Sequence, residues 1–148
     1  MAKLLPTSPL TPATTSLLEN PARQQWPDAI LAIAAKGRLL PGAGGRIGEA
    51  GDAAAGYASA RPLPIWCILE ERDHPECLEL AERAFGRAFD LAAERGCDSI
   101  GVLIDPRKAS LMSAEEVTGI ALRAFRDLSG KHPFRSLHFL PADNFAGT

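Results

Sequence analysis

With 148 residues, 46% of them hydrophobic, and a formal net charge of −2, the chain is long enough for one domain with a sizeable core and is globular rather than disordered. The near-neutral charge excludes an electrostatic basis for nucleic acid or an acidic membrane surface as partner, and there is no run of about 18 apolar residues to span a bilayer. Three cysteines, Cys67, Cys77 and Cys97, make no Cys-x-x-Cys pair, which predicts a reduced, cytoplasmic protein.

The first residues, Met1-Ala2-Lys3-Leu4-Leu5-Pro6, lack the extended apolar run expected of a signal peptide. Residues 1–25 carry Pro6, Pro9, Pro12 and Pro21 among Ser and Thr. They read as an irregular arm packed on a single domain that spans 26–148. Ala29 to Ala35 is expected to be a buried strand. It leads toward a Gly-rich loop, Pro41-Gly42-Ala43-Gly44-Gly45. Glycines let backbone N–H groups approach an anion closely, so a strand followed by such a loop is one way to cradle a phosphate. The same composition also suits a plain surface turn. Residues 36–61 read as loop with weak helix around Ile47 to Ala55, and Leu63 to Leu69 as a second buried strand.

The second half is more sharply patterned. Asp73-His74-Pro75-Glu76 reads as a helix start with a capping box. Leu78, Ala81, Phe85, Ala88, Phe89 and Ala92 then recur at helical spacing, and Gly96 ends that helix. Ser99 to Ile104 is a strand. Ser113-Ala114-Glu115-Glu116 is a second capping box, with Met112 and Val117 as a hydrophobic staple. Val117, Ile120, Ala121, Ala124, Phe125 and Leu128 form the next apolar stripe, stopped by Gly130, and Ser136 to Leu140 is a last strand. Strands alternating with helices predict an α/β fold: a three-layer α/β/α sandwich with a mixed, mostly parallel central sheet.

The order of pieces resembles the macro domain, the ADP-ribose-binding α/β/α fold. Asp28-Ala29-Ile30-Leu31 matches the start of the family's strand Asp-Ala-Ile-Val-Asn-Ala-Ala-Asn, and residues 39–48 resemble its Gly-rich loop. Ser99-Ile100 and Glu115-Glu116 match the two edges of a later strand–loop–helix segment, so the resemblance covers residues 28–140. The contact residues depart from the family pattern. Its two asparagines fall on Ala32 and Ala35. Its Ser-Thr-Gly-Val-Tyr-Gly loop falls on Pro106-Arg107-Lys108-Ala109-Ser110-Leu111, and its early adenine-holding Asp falls near Asn20-Pro21, where there is no acid. Each lost hydrogen-bonding group in a buried site costs on the order of 1–3 kcal/mol. The resemblance therefore implies the fold without the usual chemistry.

The candidate ligand residues are Gly42, Ala43, Gly44 and Gly45, with Arg107 and Lys108 offering charged contacts to phosphate oxygens in the loop opposite; a solvated basic loop is the competing reading for that pair. His74, His132 and His138 have no metal-ligand spacing and read as structural. Cys67, beside Trp66 in an apolar strand, reads as a buried thiol. Glu70, Glu71, Arg72 and Asp73 read as a solvated connector. No catalytic residue, metal or cofactor is assigned. The expectation is a non-catalytic macro-like binding or protein-interaction domain, with a protein partner or a phosphate-bearing small molecule as ligand. Two alternatives stand beside it. One is an ADP-ribose or nucleotide binder using the Gly-rich loop with Arg107 and Lys108. The other is a hydrolase with relocated groups, Asp105 and a cysteine among them.

Overall fold

The computed structural model describes residues 26–38, 40, 47–56, 62–129, 132 and 134–141. The arm at 1–25, the Gly-rich loop 41–45 and the helix stop Gly130 lie outside the described residues. The strand at Ala29–Ala35 (β1) forms over the residues expected. Its near-continuous apolar run suits a strand with neighbours on both sides in a parallel sheet. On one side, β1 pairs in parallel with a strand at Leu63–Leu69, in the register Ala29↔Leu63 to Ala35↔Leu69. On the other it pairs in parallel with Ser99–Ile104, which pairs in parallel with Ser136–Pro141.

One expectation is corrected. The segment at 47–55, read as weak helix, ends in a short strand, Ala53–Ala55 (β2), antiparallel to Leu63–Leu69 (β3) with Ala54 opposite Trp66. Alanine's helix propensity is overridden by a neighbouring strand with open backbone groups. Gly51 donates to the Ile68 carbonyl and Ile68 to the Asp52 carbonyl, at 2.9 and 3.0 Å, and so begin that pairing. With Ser99–Ile104 as β4 and Ser136–Pro141 as β5, the sheet order is β2-β3-β1-β4-β5, a mixed, mostly parallel sheet flanked by helices.

Helix Cys77–Glu94 (α1) lays Ala81, Ala84, Phe85, Ala88, Phe89 and Ala92 on the sheet. The capping box expected at Asp73–Glu76 does not form. Glu76 is the N-cap without a side-chain bond, and its N–H donates to His74 Nδ1 at 3.0 Å. Gly96 ends the helix at φ 76° as expected. The second box is present. Ser113 N–H donates to Glu116 Oε1 at 2.9 Å, and Glu116 N–H to Ser113 Oγ at 3.2 Å, at the start of helix Ala114–Ser129 (α2). Both staple residues, Met112 and Val117, are buried.

The two helices pack against each other and share one core with the inward residues of all five strands. Phe89 contacts Phe125 and Phe134 edge-on, with ring centroids 6.0 and 5.8 Å apart. A smaller apolar cluster of Leu40, Ala54 and Ile68, with Ala34 and Trp66 against it, lies apart from that core. Asp28, where the family resemblance begins, clamps the start of the sheet. Its carboxylate accepts from the N–H of Asp98 and Ser99, and its own N–H donates to Ser99. It therefore sits at the end of the sheet opposite the site described next.

Candidate functional site

In an open parallel sheet, ligands collect beyond the carboxyl ends of the strands. A cavity of about 310 Å³ lies there, lined by Ala34, Ala35, Arg38, Leu40, Trp66, Lys108 and Leu111. Ala34 and Ala35 close β1, where small side chains leave room. The turn that follows is held by two bonds, Gly37 N–H to the Gly48 carbonyl at 2.8 Å and Gly48 N–H to the Arg38 carbonyl at 3.2 Å. Gly37 takes φ 78°, a conformation that favours glycine. This turn sets Arg38 at the cavity.

Lys108 ends a 3-10 turn, Pro106–Lys108, that follows β4. Its ammonium donates to the Ile33 carbonyl at 2.8 Å and lies 5.6 Å from the centre of the Trp66 ring. Burial lowers its pKa, against the pull of the Asp105 carboxylate.

Its neighbour points elsewhere. The Arg107 guanidinium turns back on Asp105 through two bonds, Nε to Oδ1 at 3.0 Å and Nη2 to Oδ2 at 3.1 Å, with the Arg107 side chain 74% exposed and that of Asp105 only 6%. Asp105 also accepts the Arg107 N–H and so caps the turn. The Arg107 side chain, then its N–H, hold the Asp105 carboxyl below the usual range.

Of the candidate ligand residues, Lys108 therefore lines the cavity and Arg107 does not line it. Gly42, Ala43, Gly44 and Gly45 lie outside the described residues, in the segment that follows cavity-lining Leu40. Of the two alanines standing where the family carries asparagine, Ala35 faces the cavity and Ala32 is buried within β1. Arg38, Trp66 and Leu111 are not marked as ligand residues by the sequence. The only signal for Arg38 is its place just after a strand end and a glycine.

The remaining polar candidates are engaged structurally. Glu70 binds Lys36 Nζ at 2.6 Å and accepts the Glu71 N–H, so the charged run ties down a connector. A cleft of about 170 Å³ beside it is lined partly by Cys77, Arg72 and Glu116. There the Cys77 thiol donates to the Arg72 carbonyl, and Arg72 pairs with Glu116 at 2.9 Å. Cys67 is fully buried, which pushes its thiol pKa far above the ordinary range. His132 packs edge-on against Phe134, and His138 is buried beside Ser136. Among the described residues, no group of three or more His, Cys, Asp or Glu side chains is placed to hold a metal, and no helix is long and apolar enough to cross a membrane.

No protein-family model and no curated sequence matches the chain. Solved structures do. The macro domain of ganglioside induced differentiation associated protein 2 superposes with a TM-score of 0.57 at 16% identity, covering 82% of this chain and 73% of that one. A point mutant of the Oceanobacillus iheyensis macrodomain superposes at 0.58 and 15% identity, covering 76% of each chain. The same macrodomain with MES bound superposes equally well, with 75% of that chain covered. With its mixed five-stranded sheet, flanking helices and cavity at the strand ends, the chain has the macro-domain fold.

Proposed function

We propose that this is a non-catalytic binding domain of macro-domain fold that holds a small phosphate-bearing ligand of nucleotide type in the cavity at the carboxyl ends of β1 and β3. The observation that carries this reading is the chemistry of the described lining: two cations, Arg38 and Lys108, one indole and four aliphatic side chains. Cations suit phosphate oxygens, and the face of Trp66 suits a planar base. The same described lining holds no carboxylate, imidazole, thiol or hydroxyl with which to activate water. Asp105, named in the relocated-hydrolase alternative, is committed to Arg107. Gly42 to Gly45 would complete the phosphate contacts from the segment after Leu40, and Arg107 would act only through the field at the cavity mouth. Cys67 and Cys77 carry thiols outside any disulfide, which supports a reducing, cytoplasmic setting.

The test is calorimetric titration of AMP, ADP and ADP-ribose into the parent and into Lys108→Ala. Heat with the parent, reduced in the variant by at least about tenfold in affinity for a lost charged contact, is expected. No heat with any of the three at millimolar ligand would overturn this reading in favour of a protein partner.

A further inference from the structure

We propose that the cavity is a donor-only site for a phosphomonoester carried on an aromatic ring system, and that it reads the terminal phosphate and the ring but not the sugar between them. The proposal deepens the reading of this cavity as a phosphate site and rests on it.

The sheet itself places the first cation. β1 pairs with β3 through to Ala35↔Leu69, but with β4 only as far as Leu31↔Val102. The Ile33 carbonyl lies beyond that shorter ladder and is taken by Lys108 Nζ. Lys108 is thereby held as an ammonium in a fixed position, with one of its three N–H donors committed. Asp105, the carboxylate of its own turn, spends both oxygens on Arg107. Arg38, exposed just past β1, brings a second cation to the cavity, whereas Lys36 nearby is paired with Glu70. The described lining thus carries two cations and no carboxylate, an excess of charge that an anion in the cavity would offset.

Acceptors are missing from the same walls. Arginine, lysine and the indole are donors only, and the other described lining side chains are aliphatic. From Lys36 to Gly48 the sequence holds no side chain that accepts a hydrogen bond. After β4, the acceptors before Leu111 are Asp105, already spent, and Ser110, which is exposed. Sugar hydroxyls and base amino groups therefore find no side-chain acceptor here, and each donor taken from water unmatched weakens binding. A terminal phosphate is the opposite case. It is all acceptor, with three oxygens on one phosphorus and a charge of about −1.5 to −2 near neutral pH. The phosphates inside a diphosphate diester such as ADP-ribose each carry fewer free oxygens and a single charge. The Lys108 ammonium lies 5.6 Å from the centre of the Trp66 ring, so a phosphate that meets Lys108 brings the aromatic part of its ligand within reach of the indole.

The experiment is calorimetric titration of the full chain with AMP, GMP, the 5′-methyl phosphodiester of AMP, ribose 5-phosphate and ADP-ribose. AMP and GMP are expected to bind within about threefold of each other, since nothing in the lining reads the base edge. The methyl ester and ADP-ribose are expected to bind at least about tenfold more weakly than AMP, as for one lost charged contact. Ribose 5-phosphate, which lacks the ring, is also expected to bind more weakly than AMP. Arg38→Ala removes an exposed side chain, and is expected to narrow the gap between AMP and its methyl ester. ADP-ribose binding as tightly as AMP, a tenfold preference between AMP and GMP, or a gap unchanged in Arg38→Ala would overturn the donor-only reading and leave the binding site standing. No heat with any of these ligands at millimolar concentration would overturn the site and this specificity with it.

Discussion

Single side chains decide local geometry here through hydrogen bonds the chain itself supplies. Ser113 and Glu116 satisfy each other's backbone N–H groups at the start of α2, two of the donors that a helix start leaves open. Ser113→Ala is expected to cost about 1 kcal/mol, read from urea unfolding; an unchanged midpoint would show the box to be decorative. The same carboxylate, with Glu70 and Asp105, gives a pH dependence. The Ser113 N–H holds Glu116 low, Lys36 holds Glu70 low, and Arg107 holds Asp105 low. A carboxyl lowered on folding adds stability that is present above its ordinary value near ~4 and lost as pH falls through the depressed one. Urea midpoints are therefore expected to hold steady above about pH 5 and decline below it, with a shallower decline in Asp105→Asn. The thiols separate as well. Cys67 and Cys97 are fully buried and Cys77 is half-buried, so a thiol reagent on the native protein is expected to label Cys77 first, as peptide mapping would show.

At the scale of elements, the two helices follow their apolar stripes, while their polar punctuation follows local competition. The Asp73 box is legible as a motif but fails because the His74 imidazole, two residues before Glu76, takes its N–H. Pro75 within that stretch fits a turn as readily as a first helical turn. Each helix also carries a glycine with no packing reason. A Cβ at Gly86 or Gly119 meets nothing within 4 Å. Alanine at either position is expected to stabilise by about 0.5–1 kcal/mol through propensity alone. Gly51 is the opposite case, because its φ is +88° and a Cβ would come 2.9 Å from Leu80 Cδ2. Gly51→Ala is therefore expected to destabilise. Thermal melts of the three variants check both signs, and a loss of stability at Gly86→Ala would show that this helix face is not open.

For the whole molecule, stability rests on one core shared by the sheet and both helices. Phe85 is fully buried and Phe125 nearly so, and Phe125 joins Phe89 and Phe134 in a ring cluster. Truncation of either Phe85 or Phe125 to Ala is expected to cost roughly 3–5 kcal/mol. A variant unfolding within about 0.5 kcal/mol of the parent would contradict the packing. The cavity at the strand ends carries the functional expectation. Incubation with ADP-ribosylated protein or O-acetyl-ADP-ribose is expected to release no product above a blank, because the described lining carries no carboxylate, imidazole, thiol or hydroxyl to activate water. Turnover that disappears on unfolding would refute this.

Most of the elements were determined by the sequence alone. β1, β3 and β4 are near-continuous apolar runs, and α1 and α2 carry apolar residues at helical spacing, so each element's type follows from which atoms must leave water. Gly96, the second capping box and the buried state of Cys67 were readable for the same reason: each depends on neighbours a few residues away or on the character of its own segment. Other features depended on partners distant in sequence. β2 became a strand only because β3 had an open edge, and three alanines carry no period of their own. The site was decided the same way. Arg107 and Lys108 are adjacent and chemically alike in sequence, yet Asp105 draws one outward, while the Ile33 carbonyl, 75 residues back, and the Trp66 ring on another strand draw the other inward. Spacing along the chain cannot reveal a cavity whose walls come from two strands and from the segments that follow β1 and β4. Only the parallel register that brings β1, β3 and β4 side by side puts Arg38, Trp66 and Lys108 around one space.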